Sequence, residues 1–228
     1  PGEGELVETV AGHPKRVQWV RVNSTRLQQY QRLPYMREGA LQSLVKLELF
    51  FTPHTEARSI VFLDVDMLVM HNLTFVHSAV LADWRNTETP WRLHGSQNDY
   101  GIMGGWVHSR ETPPRNPKHI NCGFFAFPPP VPASFIAAVE GRIAERINKN
   151  IQLFSADQDV INTALHRTGD EQYAVHTDWF ANYRPNSDAG VAKWHVAHWL
   201  GITKPWGLKG HTRGEIRYND RTLPQLAP

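Results

Sequence analysis

Two aspartates lie one residue apart inside an apolar run that spans residues 60–70. A buried strand does not carry two bare charges, so we expect Asp64 and Asp66 to lie at the end of a strand with a cation between them. Side chains at i and i+2 of a strand point the same way, which lets two carboxylates share one divalent ion. Oxygen ligands suit Mg²⁺ or Mn²⁺. The alternative is a solvated turn, which the apolar residues on both sides disfavour.

A second polar group opens a predicted helix near residue 155. Ser155 and Gln158 have the spacing of a capping box, in which each side chain bonds a backbone N–H at the helix start. Asp157 and Asp159 suit the positive end of the same helix. These side chains therefore have a structural explanation, and composition alone assigns them no catalytic role.

Three other residues are open to a functional and a structural interpretation. Lys46 lies in the middle of a predicted buried helix at 41–51, where a lysine commonly reaches along the surface into water. His198 lies on a predicted strand, where a lone histidine is more often structural than a ligand. Lys204 lies in a loop enforced by Gly and Pro at 201–207, where it is well placed to meet an anion.

The predicted helices and strands alternate, which indicates an α/β sheet. Asp64 and Asp66 follow the strand at 59–63, at the carboxyl end where open α/β sheets bind ligands. The segment at 83–120 is poor in pattern apart from a possible strand at 91–94. The other predicted elements are the end of a helix at 5–11, strands at 17–22, 122–127, 173–180 and 194–199, and helices at 132–150 and 155–167.

Length and composition narrow the class of protein. The chain has 228 residues, enough for one large domain or two small ones. Hydrophobic residues make up 41% of it, which excludes wholesale disorder. A net charge of +2 gives no reason to expect a nucleic-acid partner. No apolar run approaches the ~20 residues of a membrane span. The single Cys122 excludes an internal disulfide.

Four short motifs occur in a fixed order along the chain. They are Asp64-Val65-Asp66, Asn121-Cys122-Gly123, the Asp-Gln-Asp stretch running from Asp157 to Asn162, and the His-Trp-Leu-Gly-Ile-Thr-Lys-Pro-Trp stretch at 198–206. Each is weak to moderate alone, but together they resemble glycosyltransferase family 8, the glycogenin-like retaining transferases. The resemblance covers roughly residues 5–207. It implies a single GT-A domain over 1–228, with a mostly parallel mixed central sheet, flanking helices and a peripheral tail at 208–228.

The resemblance also implies an activity. Members of this family transfer a hexose from a UDP-sugar to a hydroxyl acceptor with retention, and they use Mn²⁺, with Mg²⁺ as an alternative. The acceptor is a glycan, a protein or a small molecule. By this resemblance the metal ligands are Asp64, Asp66 and His198. Whether retention uses a covalent intermediate or same-face attack stays open, as do the sugar, the compartment and the oligomeric state.

The remaining motif residues acquire roles in the same way. By resemblance Lys46 lies near the donor sugar and phosphate, and the region of Gly201 and Lys204 holds the departing diphosphate. Asn121, Asp157 and Gln158 are expected around the sugar. Within that group the two catalytic residues are Asp157, on the sugar hydroxyls, and Gln158, near the anomeric carbon.

One departure from the family keeps other functions open. The chain begins near the end of the family's first strand-helix unit, so we expect that unit, with its uridine contacts, to be missing and the chain to be a fragment. An inactive, truncated GT-A domain that serves as a scaffold is therefore an alternative.

A haloacid-dehalogenase-type phosphatase also places Asp-x-Asp after an apolar strand. It is less favoured, since here the later acids open a helix.

Overall fold

The computed structural model describes residues 5–10, 13–18, 24–34, 43–54, 57–69, 71–85, 91–97, 120–153, 156–169, 173–176, 180–183 and 195–199. The predicted loop at 201–207, with Gly201 and Lys204, lies outside the described residues. So do the predicted tail at 208–228 and most of the pattern-poor segment before residue 120. The predicted single-domain organisation over 1–228 stays a prediction.

The described elements alternate between strands and helices. In chain order the strands are β1 (Glu5–Val10), β2 (His13–Gln18), β3 (Ile60–Leu63), β4 (Met67–Val69), β5 (Leu93–Gln97), β6 (Ile120–Phe127), β7 (Tyr173–His176), β8 (Phe180–Tyr183) and β9 (Val196–Trp199). The helices are α1 (Ser24–Gln31), α2 (Glu48–Phe51) after a 3₁₀ turn at Val45–Leu47, α3 (Thr74–Arg85), α4 (Ala133–Lys149) and α5 (Asp157–Thr168). None of these helices combines the length and the hydrophobicity needed to cross a membrane.

A four-stranded sheet in the order β3-β6-β5-β7 forms the centre of the described fold. Strand β6 pairs antiparallel with both β3 and β5, and β5 pairs parallel with β7. Of the six strand pairs among the described residues, four are antiparallel. The prediction of a mostly parallel sheet is therefore wrong for the described strands. The reason is that a strand buried on both faces has a continuous apolar sequence whether its neighbours are parallel or antiparallel.

A second sheet, in the order β4-β9-β8, brings a distant part of the chain beside Asp64 and Asp66. Strand β4 pairs antiparallel with β9, and in this register Met67 lies opposite His198. Because β4 begins directly after Asp66, the pairing carries His198 to the same turn. The predicted strand at 194–199 is confirmed in its described part.

The first two strands form an antiparallel pair, with Glu5 opposite Gln18 and Val10 opposite His13. The prediction of a helix end at 5–11 is wrong. This stretch is rich in Val and Thr, which favour strands. Pairing with the segment that follows it satisfies backbone groups that a helix would have bonded internally.

Strand β6 separates two apolar clusters. All eight of its residues are buried, and side chains that alternate along its second half enter different clusters. On one side Phe125 and Phe127 pack around Phe50, with ring centroids 5.7 and 5.2 Å away. On the other side Phe124 and Ala126 pack against α3 and β9. Burying one such phenyl ring stabilises the fold by ~1.5–3 kcal/mol, so β6 is a rigid support for the residues at its start.

The helices agree with the sequence predictions at most places but not at all. The described part of the predicted helix at 41–51 is helical, but a 3₁₀ turn at Val45–Leu47 interrupts the α-helix. The predictions of α4 and of the body of α5 are confirmed. Helix α3 was not predicted from the sequence, although Phe75, Val76, Ala79 and Val80 have helical spacing. Asn72 supplied a start signal, because its side-chain oxygen accepts the backbone N–H of Thr74 at 2.8 Å.

Candidate functional site

Three potential metal ligands converge where β3 gives way to β4. One ligand atom from each of Asp64, Asp66 and His198 lies within 4.8 Å of the other two. His198 Nε2 is 3.4 Å from Asp66 Oδ1. The two aspartates flank Val65 in a turn, whose backbone is held by the N–H of Asp64 donating to the carbonyl of Gly123 at 2.8 Å. The carboxylates therefore converge through a turn after the strand, and the exposed residue between them is Val65.

This donor set fits a divalent cation. Two carboxylates supply the charge that such an ion needs, and a neutral imidazole adds a nitrogen ligand that first-row transition metals accept. His198 is only 5% exposed, so its ring is held in place by the surrounding fold. The residues that the resemblance associates with a metal are thus brought together, although their role as ligands stays a prediction.

Lys46 is buried beside this cluster and does not extend along the surface into water. Its Nζ lies 2.9 Å from Asp64 Oδ1 and 3.0 Å from Asp157 Oδ2, and it donates to the carbonyl of Cys122 at 3.1 Å. Burial lowers the pKa of Lys46, but the charges of Asp157 and Asp64 raise it by more, and the net pKa lies above its usual value. Lys46 is therefore a stable cation that joins the β3 turn to the start of α5.

Asp157 and Gln158 face this cluster from the start of α5. Burial raises the pKa of Asp157, while the charge of Lys46 opposes that rise. The Gln158 side-chain oxygen accepts the backbone N–H of Cys122 at 3.2 Å. Ser155, the predicted N-cap, lies outside the described residues. The structure has the N-cap at Ala156, whose side chain makes no capping hydrogen bond, so it does not support the predicted capping box. Gln158 bonds β6 instead of its own helix start.

The residue before Asp157 has an unusual backbone conformation. Ala156 has φ 43° and ψ −113°, a region that non-glycine residues rarely occupy. Such conformations persist only where surrounding contacts enforce them, and they cluster at functional sites. Here the enforcing contacts are those that hold Asp157 on Lys46 and Gln158 on β6.

Asp159 anchors α5 to α4, a role that the sequence did not indicate. Arg142 donates from Nε and Nη2 to Asp159 Oδ1 at 3.0 and 2.6 Å. Arg146 donates to Oδ2 at 3.0 Å. Both arginines are buried, at 5% and 2% exposure. Because these contacts fix the first turn of α5, they also fix the direction of Asp157.

Asn121 and Gly123 form the floor of the cluster on β6. The Asn121 side-chain oxygen accepts the backbone N–H of Gly123 at 2.8 Å, and Asn121 is 3% exposed. A Cβ at Gly123 would lie 2.5 Å from Met67 Cε and 2.9 Å from His198 Cε1. The glycine is therefore required by the close approach of His198 to β6. Asn121 lies beside the cluster as predicted, while its contact with a sugar stays a prediction.

Asn162, the last residue of the third motif, joins α5 to β6. Its Oδ1 accepts the Ile120 N–H at 2.9 Å, and its Nδ2 donates to the Ile120 carbonyl at 3.0 Å and to the Gln158 carbonyl at 2.9 Å. The motif that suggested catalysis therefore also contains the connection that aligns the helix with the strand.

Glu48 anchors the segment that carries Lys46, a role that was not predicted from the sequence. It is 7% exposed and accepts from Arg26 Nε at 2.8 and 2.9 Å and from the Tyr30 hydroxyl at 2.8 Å. The Arg26 guanidinium also lies over the Phe51 ring, 4.4 Å from its centroid. A carboxylate among apolar helix positions was the available signal, because such a group needs buried donors.

Comparisons with known proteins bear on the fold. No protein-family model matches the chain, and no curated protein matches its sequence. A crystal structure of the galactosyltransferase LgtC, in complex with donor and acceptor sugar analogues, aligns with a TM-score of 0.51. The two chains are 16% identical, over 80% of this chain and 67% of LgtC. An active-site mutant of LgtC aligns with a TM-score of 0.54 at 15% identity, over 87% of this chain and 75% of the mutant.

The chain shares the fold of these galactosyltransferases. At this level of identity the likeness extends to the mixed α/β fold of GT-A type and not to the activity. The predicted fold class is therefore confirmed at that level, and the predicted direction of the strands is corrected as described above.

Proposed function

We propose that this protein is a metal-dependent glycosyltransferase of family 8 that moves a hexose from a UDP-sugar to a hydroxyl acceptor with retention. The observation that carries the proposal is the convergence of Asp64, Asp66 and His198, with ligand atoms within 4.8 Å of one another, beside the buried ion pair of Lys46 and Asp157. This cluster lies in a fold shared with a galactosyltransferase, which is a supporting observation.

The proposed chemistry follows from the charge that develops when the donor breaks. The bond from the anomeric carbon to UDP breaks with both electrons leaving on the β-phosphate oxygen, so negative charge grows there. A bound Mn²⁺ or Mg²⁺ supplies Lewis-acid stabilisation of that charge. Asp64, Asp66 and His198 would hold the ion. Lys46, whose side chain is buried, would stabilise the same charge through its ammonium group.

The residues around the sugar have a second task. Positive charge develops at the anomeric carbon, and nearby oxygen atoms stabilise it. Gln158 and Asn121 carry amide oxygens, and Asp157 carries a carboxylate that Lys46 holds at 3.0 Å. We assign Asp157 to the sugar hydroxyls and Gln158 to the face near the anomeric carbon. Gly201 and Lys204 are proposed to hold the departing diphosphate. The acceptor is proposed to be a glycan, a protein or a small-molecule hydroxyl.

The test measures release of UDP from UDP-glucose and UDP-galactose in the presence of Mn²⁺. We expect Asp66→Asn to lower the rate by at least about 100-fold, since removing one charge-stabilising group costs ~10²–10³ in rate. Asp83→Asn is the matched control, because Asp83 pairs with Arg92 and His94 rather than with the cluster. It is expected to retain the wild-type rate.

Three outcomes contradict the proposal. Wild-type turnover in Asp66→Asn, or in excess chelator, refutes the metal assignment. An inverted anomeric configuration of the product in its NMR spectrum refutes retention. If no UDP-sugar raises the melting temperature in the presence of Mn²⁺, the inactive scaffold becomes the better account, because a ligand of the native state stabilises it.

A further inference from the structure

Lys46 uses its full hydrogen-bonding capacity on the protein itself. An ammonium group has three N–H donors. The three acceptors around Nζ are Asp64 Oδ1 at 2.9 Å, Asp157 Oδ2 at 3.0 Å and the Cys122 carbonyl at 3.1 Å. An anionic ligand can gain a hydrogen bond from Lys46 only if one of these contacts is released.

The three contacts differ in how readily they open. The Asp157 side chain is 10% exposed and the Cys122 carbonyl contact is buried. If either acceptor lost the hydrogen bond from Lys46, water could not reach it to replace that bond. The Asp64 side chain is 30% exposed. Water or a metal ion can replace Lys46 there, and the contact to Asp64 is therefore the one that opens first.

The Asp64 carboxylate therefore has two cationic partners, Lys46 and the metal ion of the candidate site. Its Oδ1 is held by Lys46, while Asp64, Asp66 and His198 supply the ligand atoms of the candidate metal site. A positive charge within ~4 Å of a divalent ion's ligand reduces that ion's affinity, and the effect is larger where the surroundings are partly buried. Lys46 and the metal therefore compete for the same carboxylate.

We propose that Lys46 is a resident cation that keeps the affinity of the metal site low until an anionic ligand draws its ammonium group away from Asp64. This inference rests on the proposed function, since it concerns the metal site assigned there. In this arrangement a phosphate-bearing ligand frees Asp64 for the metal, and the metal in turn frees Lys46 for the phosphate. Each ligand then raises the affinity for the other by the same factor.

The first experiment measures binding of Mn²⁺ alone by titration calorimetry, with no donor and no turnover. The main variant is Lys46→Met combined with Asp157→Asn, which removes the buried pair without leaving a buried carboxylate unpaired. We expect this double variant to bind Mn²⁺ at least about tenfold tighter than wild type. Asp157→Asn alone keeps Lys46 on Asp64, and it is expected to show no such gain. His198→Ala is expected to lose binding.

The second experiment repeats the Mn²⁺ titration with UDP present, corrected for the Mn²⁺–UDP complex that forms in solution. In wild type we expect UDP to raise Mn²⁺ affinity. In the double variant we expect a smaller gain, because the diphosphate still binds the metal but no lysine is left to be withdrawn. Lys46→Arg keeps the positive charge, so it is expected to bind Mn²⁺ alone as weakly as wild type.

The outcomes separate this inference from the proposed function. If wild type and the double variant bind Mn²⁺ equally, and His198→Ala does not bind, the competition by Lys46 is refuted while the metal site stands. An equal UDP effect in both proteins also refutes it. If no protein in the series binds Mn²⁺, both the inference and the metal assignment fail.

Discussion

One methyl group added at Gly123 should lower both the metal affinity and the stability of the fold, and these two effects can be measured separately. In Gly123→Ala the new Cβ would lie 2.5 Å from Met67 Cε, 2.9 Å from His198 Cε1 and 3.0 Å from Asn121 Oδ1. Carbon atoms in contact normally lie ~3.5–4.0 Å apart. At least two neighbours must therefore move by roughly half an ångström to one ångström.

The three neighbours differ in how they can move. Met67 Cε is the end of a flexible side chain and can rotate away at small cost. Asn121 Oδ1 is held by the N–H of Gly123, and His198 Cε1 belongs to a rigid ring beside Asp66. We expect the ring of His198 to shift. Overpacking of this kind costs ~1–3 kcal/mol of stability, and disturbing the orientation of a ligand costs ~10–100-fold in metal affinity.

Two other glycines provide matched controls. At Gly95 a Cβ would lie 2.9 Å from both Cβ and Cγ2 of Ile120, so Gly95→Ala overpacks the core without adding contacts to the metal cluster. At Gly141, on α4, a Cβ meets nothing within 4 Å. Gly141→Ala is therefore expected to raise stability by ~0.5–1 kcal/mol, because alanine loses less backbone entropy in a helix.

The assay combines urea unfolding with Mn²⁺ titration for all three variants. We expect Gly95→Ala and Gly123→Ala to be destabilised to a similar degree and only Gly123→Ala to lose metal affinity. Wild-type Mn²⁺ binding in Gly123→Ala would refute the argument about His198. An equal loss of binding in Gly95→Ala would show that the effect comes from the whole fold and not from the ligand.

Three further predictions concern stability. The Arg167 guanidinium, with smaller contributions from neighbouring cations, lowers the pKa of Glu145 from 4.5 to about 2. This carboxylate therefore stabilises the fold above pH 4.5, and the contribution is lost as the pH falls to about 2. After screening by solvent it amounts to less than about 1 kcal/mol. Thermal unfolding of Glu145→Gln between pH 7 and pH 2 is expected to show a correspondingly smaller loss of stability at low pH. Asn162→Leu removes both bonds to the Ile120 backbone, and the unsatisfied groups are expected to cost ~2–4 kcal/mol in urea unfolding; a cost below ~1 kcal/mol would contradict this. Ala156→Gly relieves the positive φ and is expected to raise the melting temperature, and a lower value would contradict it.

The local predictions succeeded where a pattern has only one physical cause. The apolar run predicted as a strand at 122–127 lies in the interior, because burial is the only outcome that avoids exposing it. The apolar spacing of α4 likewise defined a helix. The pattern at 5–11 has two outcomes, helix or strand, and only its pairing with β2 decides between them.

The direction of the strands depends on what happens far along the chain. Strand β6 lies between β3 and β5 and runs antiparallel to both, and nothing in the sequence of these strands encodes that arrangement. The same reason applies to Gln158, which has the spacing of a capping residue and instead bonds Cys122 on β6. Gln158 thus bonds the backbone of a distant strand in place of the backbone at its own helix start.

The sequence by itself predicted that Asp64 and Asp66 lie together at the end of an apolar strand. The structure places them in the turn after β3, a strand that is only partly buried. The resemblance added His198 and Lys46, but only the tertiary structure decided how they meet. Lys46 contacts Asp64 at a separation of 18 residues and the Cys122 carbonyl at a separation of 76. A buried ammonium group needs several acceptors at once, and the folded chain alone supplies them from three different elements.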